Sequence, residues 1–323
     1  MSRYLLRRLG ASLVLVVLVV TITFFLLHLA PGSPVDYLLL GAVREGGLAH
    51  DRLERALGLD RPLFEQYLHW LGAAARGDLG TSFVQGRPVA RVIGAALPNT
   101  LLLGLAALLV EYALALPLGV WAARRRGRAV DHGVRVISLL LYSLPVFWLG
   151  LMAILLFAYR WPVLPASHMF SAGAADLPAG ARLVDLLRHL VLPATVLGLA
   201  AAGGTLRFVR GSLLEVLAQD FVRTARAKGL GEGRVVVVHA LRNALAPVLQ
   251  VLGVSLPTLL NGSLVLEVVF SWPGLGQVAF RALTTRDYPV ILAATAVSAV
   301  LVVAGSLLAD LLHAAADPRL RRA

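Results

Sequence analysis

Apolar positions gather into six long stretches along the chain: Leu9–Ala30, Leu97–Ala122, Val134–Ala158, His189–Leu206, Ala244–Leu266 and Pro289–Leu312. A helix needs about 20 apolar residues to cross the hydrocarbon core of a bilayer. The pattern therefore predicts an all-α integral membrane protein with six transmembrane helices. The fourth stretch is the weakest, being short and carrying Pro193, Gly198, Gly203 and Gly204. Such residues are tolerated in a membrane where neighbouring helices cover the loosened backbone. Arg7 and Arg8 before the first stretch resemble the start of a secretion signal, but "HLAPGSPVD" has no A-x-A cleavage pattern. A retained first helix is expected.

The polar positions set the sidedness. Arg3, Arg7 and Arg8 precede the first span, Arg124, Arg125, Arg126 and Arg128 separate the second from the third, and Arg319, Arg321 and Arg322 follow the sixth. Another basic segment lies between the fourth and fifth. Because arginine-rich segments stay inside, both termini are expected in the cytoplasm. The loop from Pro31 to Ala96 is then external, its seven arginines balanced by seven acids. Within it, "DRPLFEQYLHWL" predicts an amphipathic helix, with Asp60 as cap, Pro62 in the first turn and Leu63, Phe64, Tyr67, Leu68 and Leu71 on one face. The expected organisation is a first helix over 1–30, an external region over 31–96 and a five-helix core over 97–323. That core carries a cytoplasmic loop over 207–243.

Composition agrees with this reading. Hydrophobic residues make up 58% of the 323 and charged residues only 15%, against about 25% charged in a soluble domain. A net charge of +12 on a soluble chain would suggest nucleic acid. Here the arginines flank apolar runs, so they read as topology determinants and no nucleic-acid partner is expected. There is no cysteine, which removes disulfides, thiolate nucleophiles and thiolate metal sites.

The chain carries few motifs of catalytic or binding chemistry. The only lysine, Lys228, is followed by Gly229, whereas a phosphate-binding Walker loop needs Ser or Thr there. The glycines at 229, 231 and 233 have the wrong spacing for a dinucleotide fingerprint. No H-E-x-x-H occurs and the eight histidines are scattered. No catalytic residue, metal site or cofactor is expected. Glu111 lies near the middle of the second span and Glu267 near the outer end of the fifth. A carboxylate at mid-bilayer costs on the order of 2.5–3.5 kcal/mol, so Glu111 should face the bundle or water. It either lines a polar pathway or is held in helix packing.

The segment "QDFVRTARAKGLGEGRVVVVHALRNALAPVL", Gln219 to Leu249, predicts a short basic helix with Asp220 as cap. Gly229 supplies the left-handed position that ends it. Small residues at Thr224, Ala225 and Ala227 suit close approach to another protein, while the basic residues equally suit a helix resting on anionic lipid.

This segment resembles the coupling loop of ABC importer permeases, whose pattern is E-A-A-x-x-x-G followed by I-x-L-P. Arg223, Thr224, Ala225 and Gly229 match the first part, and His239, Leu241 and Arg242 the second. The glutamate and proline are replaced, as is usual in the dipeptide/oligopeptide/nickel branch. "LLHLAPGSPVD", "LGLDRPLFEQYLHWLGAAARGDLGTSF", "LPNTLLL", "SLPVFWLGL", "EVVFSWPGLGQ", "RDYPV" and "DPRLR" extend the likeness over nearly the whole chain.

The resemblance implies the type I importer permease fold and a multi-pass subunit of the bacterial inner membrane. It also implies import of di- or oligopeptides, with nickel, glutathione or another small solute as the alternative cargo. The implied partners are a homologous second permease, two cytoplasmic ATP-binding subunits, an extracytoplasmic substrate-binding protein and membrane lipid. Arg223, Thr224, Ala225, Arg226, Ala227, Lys228 and Gly229 would contact the ATPase. A self-contained secondary transporter or channel is the other class that the composition allows.

Overall fold

The computed structural model describes residues 2–39, 46–244, 248, 255 and 263–316. Twelve α-helices form among these: α1 Ser2–Leu29, α2 Pro34–Leu39, α3 Gly46–Ala56, α4 Leu63–Ala75, α5 Val89–Arg124, α6 Ala129–Ser143, α7 Val146–Ile154, α8 Ala179–Leu217, α9 Asp220–Ala227, α10 Glu232–Arg234, α11 Leu275–Thr285 and α12 Tyr288–Ala316. Four of them, α1, α5, α8 and α12, are long and apolar enough to cross a membrane. The predicted fifth span, Ala244–Leu266, falls mostly outside the described residues, as does "DPRLR".

The predicted third span is broken. Its halves, Ala129–Ser143 and Val146–Arg160, meet at 99°. Pro145 has no amide hydrogen to continue the helical ladder, and its ring pushes the preceding residue out of the helical region. Leu144 accordingly adopts φ −79°, ψ 134°.

The chain divides into two compact units, one comprising Met1–Thr100 with Pro273–Leu301, the other Leu101–Trp272 with Val302–Ala323. In the first unit, α4 packs on α1 through Tyr67. Its hydroxyl lies 2.7 Å from Thr21 Oγ1 and its ring 5.4 Å from that of Phe24. Of the rest of the expected apolar face of α4, Leu63, Phe64 and Leu68 stay exposed and Leu71 is half-buried. Asp60 does not cap the helix; Pro62 occupies the cap position without a side-chain bond. The core of this unit is formed by Val89, Ile93, Leu275, Tyr288, Ile291 and their neighbours.

In the second unit α8 is the centre, packed against α6 and α7. The glycines that weaken it as a sequence segment are what let it pack. A Cβ at Gly198 would meet the Ala107 carbonyl oxygen of α5 at 2.7 Å, and one at Gly203 the Ser138 carbonyl oxygen of α6 at 2.6 Å. Small residues bring membrane helices into backbone contact in this way. An ion pair fastens the same helices: Arg210 of α8 donates to both oxygens of the buried Asp131 of α6, at 2.6 and 2.9 Å. Asp131 Oδ2 also accepts the Gly127 amide at 2.9 Å, closing the turn between α5 and α6. Further along, Phe270 and Trp272 are buried in the largest core cluster with Leu103, Leu190 and Leu197. An added Cβ at Gly150 of α7 would lie 3.0 Å from Leu266 and 3.4 Å from Val269 and Phe270, so "SLPVFWLGL" and "EVVFSWPGLGQ" meet in this core.

Candidate functional site

The predicted basic helix forms as α9, separated from α8 by two residues. Asp220 is its first helical residue and Gln219 its cap, with no side-chain capping bond. Asp220 still complements the helix dipole from the first turn, and Arg223 Nη1 lies 3.4 Å from its Oδ1.

The other end matches the expectation for Gly229, whose φ is +79°. The Gly229 amide bonds the Arg226 carbonyl at 2.9 Å and the Leu230 amide bonds that of Ala225 at 3.4 Å. This paired closure satisfies carbonyls that a helix end otherwise leaves open. Leu230 then folds back against a small apolar cluster of Val222, Ala225 and Val235.

That cluster divides the expected docking residues. Ala225 is 7% exposed and faces its own chain, beside Val222. Arg223, Thr224, Arg226, Ala227, Lys228 and Gly229 are exposed. Arg226 is bound by Glu232, Nε to Oε1 at 2.6 Å, which braces α9 against the chain leaving it. The following turn is anchored through Val236 and Ala240, which pack with Ala123 of α5 and Leu213 and Val216 of α8. The exposed face of α9 is thus mounted on the first of these clusters, and the Val235–Ala240 segment that follows links it through the second to α5 and α8.

Glu111 is fully buried in the second unit. Its Oε1 accepts hydrogen bonds from Thr205 Oγ1 at 2.5 Å and Ser255 Oγ at 2.9 Å. Glu267 is also fully buried.

Two polar clusters escaped the sequence reading. In the first unit, the Asp287 carboxylate accepts the Ser82 hydroxyl and the Phe83 amide, the latter at 3.0 Å. The only hint was that both lie in quoted motifs, "LGTSF" and "RDYPV". The other brings His50, Asp51 and Glu54 of α3 together. All three are solvent-accessible, and acidic surface groups commonly gather without a metal.

The fold these helices build is that of an ABC importer permease. A solved structure titled "Inward facing conformations of the MetNI methionine ABC transporter" matches it with a TM-score of 0.56 at 20% identity. The match covers 70% of this chain and 96% of that one.

The family described as "Binding-protein-dependent transport system inner membrane component" matches residues 115–322, and its N-terminal companion matches residues 1–104. The chain belongs to this family and is a permease component of the inner membrane. Three relatives align over 99% of both chains. They are the oligopeptide transport system permease protein AppB of Bacillus subtilis (39% identical), the dipeptide transport system permease protein DppB of Escherichia coli K12 (38%) and the di/tripeptide transport system permease protein DppB of Pseudomonas aeruginosa (41%). In systems of this kind ATP hydrolysis belongs to separate subunits.

Proposed function

We propose that this chain forms half of the membrane pathway of an ATP-driven importer of short peptides, with a homologous permease supplying the other half. Two ATP-binding subunits sit on the cytoplasmic side and an extracytoplasmic binding protein delivers the cargo. The observation that carries the cargo assignment is the near-40% identity to three peptide permeases over the full length of the chain. Six spans with both termini in the cytoplasm complete this reading.

α9 is the coupling element. Arg223, Thr224, Arg226, Ala227, Lys228 and Gly229 form the contact face for an ATP-binding subunit, while Ala225 ties that face to Val222 and Val235. Closure of the ATPases pushes α9, and its apolar mounting transmits the displacement to α5 and α8. Rigid-body movement of packed helices then exchanges inward- and outward-open states.

The test is purification of the tagged chain with its genomic neighbours, followed by reconstitution into liposomes. Uptake of radiolabelled dipeptide should require ATP inside and the binding protein outside. Uptake by the chain alone, without ATP, would overturn the importer reading. ATP-dependent uptake of nickel or glutathione, with none of peptide, would overturn the cargo alone.

A further inference from the structure

We propose that a cavity beside α9 binds a phosphate-bearing anion, either a phospholipid headgroup or free phosphate. The cavity has a volume of about 480 Å³ and lies within the second unit. Arg124, Arg125 and Arg126, at the end of α5, line it together with Arg226 and Glu232. Leu217 and Val236 supply apolar wall beside this cationic rim.

Three facts point to an anion. Arg124, Arg125 and Arg126 are all exposed, and no carboxylate among the described residues forms an ion pair with them. The nearest acid in sequence, Asp131, is consumed by Arg210 and the Gly127 amide. The acid inside the cavity, Glu232, is consumed by Arg226. The rim is left with positive charge that the described residues do not neutralise.

Topology alone explains arginines on the inner side of a span. It gives no reason for three of them to converge with a fourth on one cavity. Guanidinium groups bind phosphate oxygens through paired charge-assisted hydrogen bonds. Basic pockets between membrane helices also recognise anionic lipid headgroups. A headgroup at this rim would place its glycerol and first methylenes against the apolar wall. It would also join the α5–α6 turn to α9 and compete with Glu232 for Arg226.

The test uses the full-length chain in neutral detergent, so its failure is separate from failure of the transport reading. Native mass spectrometry measures retention of phosphatidylglycerol against phosphatidylcholine, and phosphorus NMR measures line broadening of inorganic phosphate. At least one of the two sources should bind. Arg125→Gln/Arg126→Gln should weaken that binding roughly tenfold or more by removing two guanidinium forks. Arg125→Lys/Arg126→Lys keeps the charge that sets sidedness and should weaken it less. Glu232→Gln should strengthen it by releasing Arg226.

Competition between phosphate and phosphatidylglycerol assigns one site to the shared phosphate group. Selective lipid retention without phosphate binding assigns the headgroup, and the reverse assigns the free anion. Equal retention of the two lipids with no phosphate broadening overturns the proposal. So does binding that the glutamine pair leaves unchanged. If neither source binds and the glutamine pair instead loses the ATP-binding subunits, the rim is a protein contact and the proposal fails.

Discussion

Ser82 and Asp287, 205 residues apart, are joined by a hydrogen bond from the serine hydroxyl to the carboxylate. Asp287 also accepts the backbone amides of Phe83 and Val84, at 3.0 and 3.4 Å. The Ser82 amide in turn bonds the Arg87 carbonyl and the Val89 amide bonds that of Gly80, both at 2.9 Å. One buried side chain thus holds the loop that leads into α5.

Asp287→Ala should therefore loosen residues 80–88. A buried donor left without its acceptor costs about 1–3 kcal/mol; the Ser82 hydroxyl is such a donor, while the Phe83 and Val84 amides are only partly buried. Limited proteolysis of the detergent-solubilised protein should show new cleavage in this loop, and thermal unfolding should shift down. Wild-type protease resistance in the variant would remove Asp287 as the anchor.

Glu111 offers a cleaner separation of packing from transport. Glu111→Gln keeps a carbonyl oxygen to accept from Thr205 and Ser255 and should fold and transport nearly as wild type. Glu111→Leu leaves both hydroxyls without that acceptor and should destabilise the bundle by about 1–3 kcal/mol. Transport per folded molecule should be equal in the two variants. If Glu111→Gln instead abolishes uptake at unchanged melting temperature, the carboxylate serves the pathway and the packing account is wrong.

For α9, the burial of Ala225 moves the informative substitution to Ala227. Ala227→Trp adds bulk on the exposed face and should weaken association with the ATP-binding subunits while leaving the permease folded. Gly229→Val forces a β-branched residue into the left-handed region, at a cost of about 1–2 kcal/mol, and should misdirect the chain beyond the helix. A helix that merely rests on lipid predicts the opposite for Ala227→Trp, since an indole favours the membrane interface. Co-purification of the ATPases and coupled ATP hydrolysis decide between them; preservation of both in Ala227→Trp defeats the docking assignment.

Sidedness can be read with single cysteines, because the chain has none of its own. Gln85 and Ala172 are exposed and should label from outside with an impermeant maleimide in intact cells. Arg126 and Lys228, also exposed, should label only after the membrane is opened. Ser82 is unsuitable, being 2% exposed and bound to Asp287. External labelling at position 228 in intact cells would reverse the proposed orientation.

What the sequence determined by itself is what short-range physics controls. Apolar run length marked α1, α5, α8 and α12, because crossing a bilayer is a matter of consecutive residues. Gly229 announced the end of α9, because a left-handed residue is a local steric requirement. Motif likeness supplied the family, which the matched relatives bear out.

Only the tertiary structure decided the rest. It made the glycine-interrupted fourth segment into the central helix, since a glycine's value there lies in the Ala107 and Ser138 backbones it touches. It bent the third segment at Pro145, where a proline in an apolar run can either kink a span or break it. It turned Ala225 inward, although its small size had suited an outward docking face equally well. And it brought Ser82 to Asp287: hydrophobic periodicity carries information over a few turns of helix, while a partner two hundred residues away is chosen by how the helices pack.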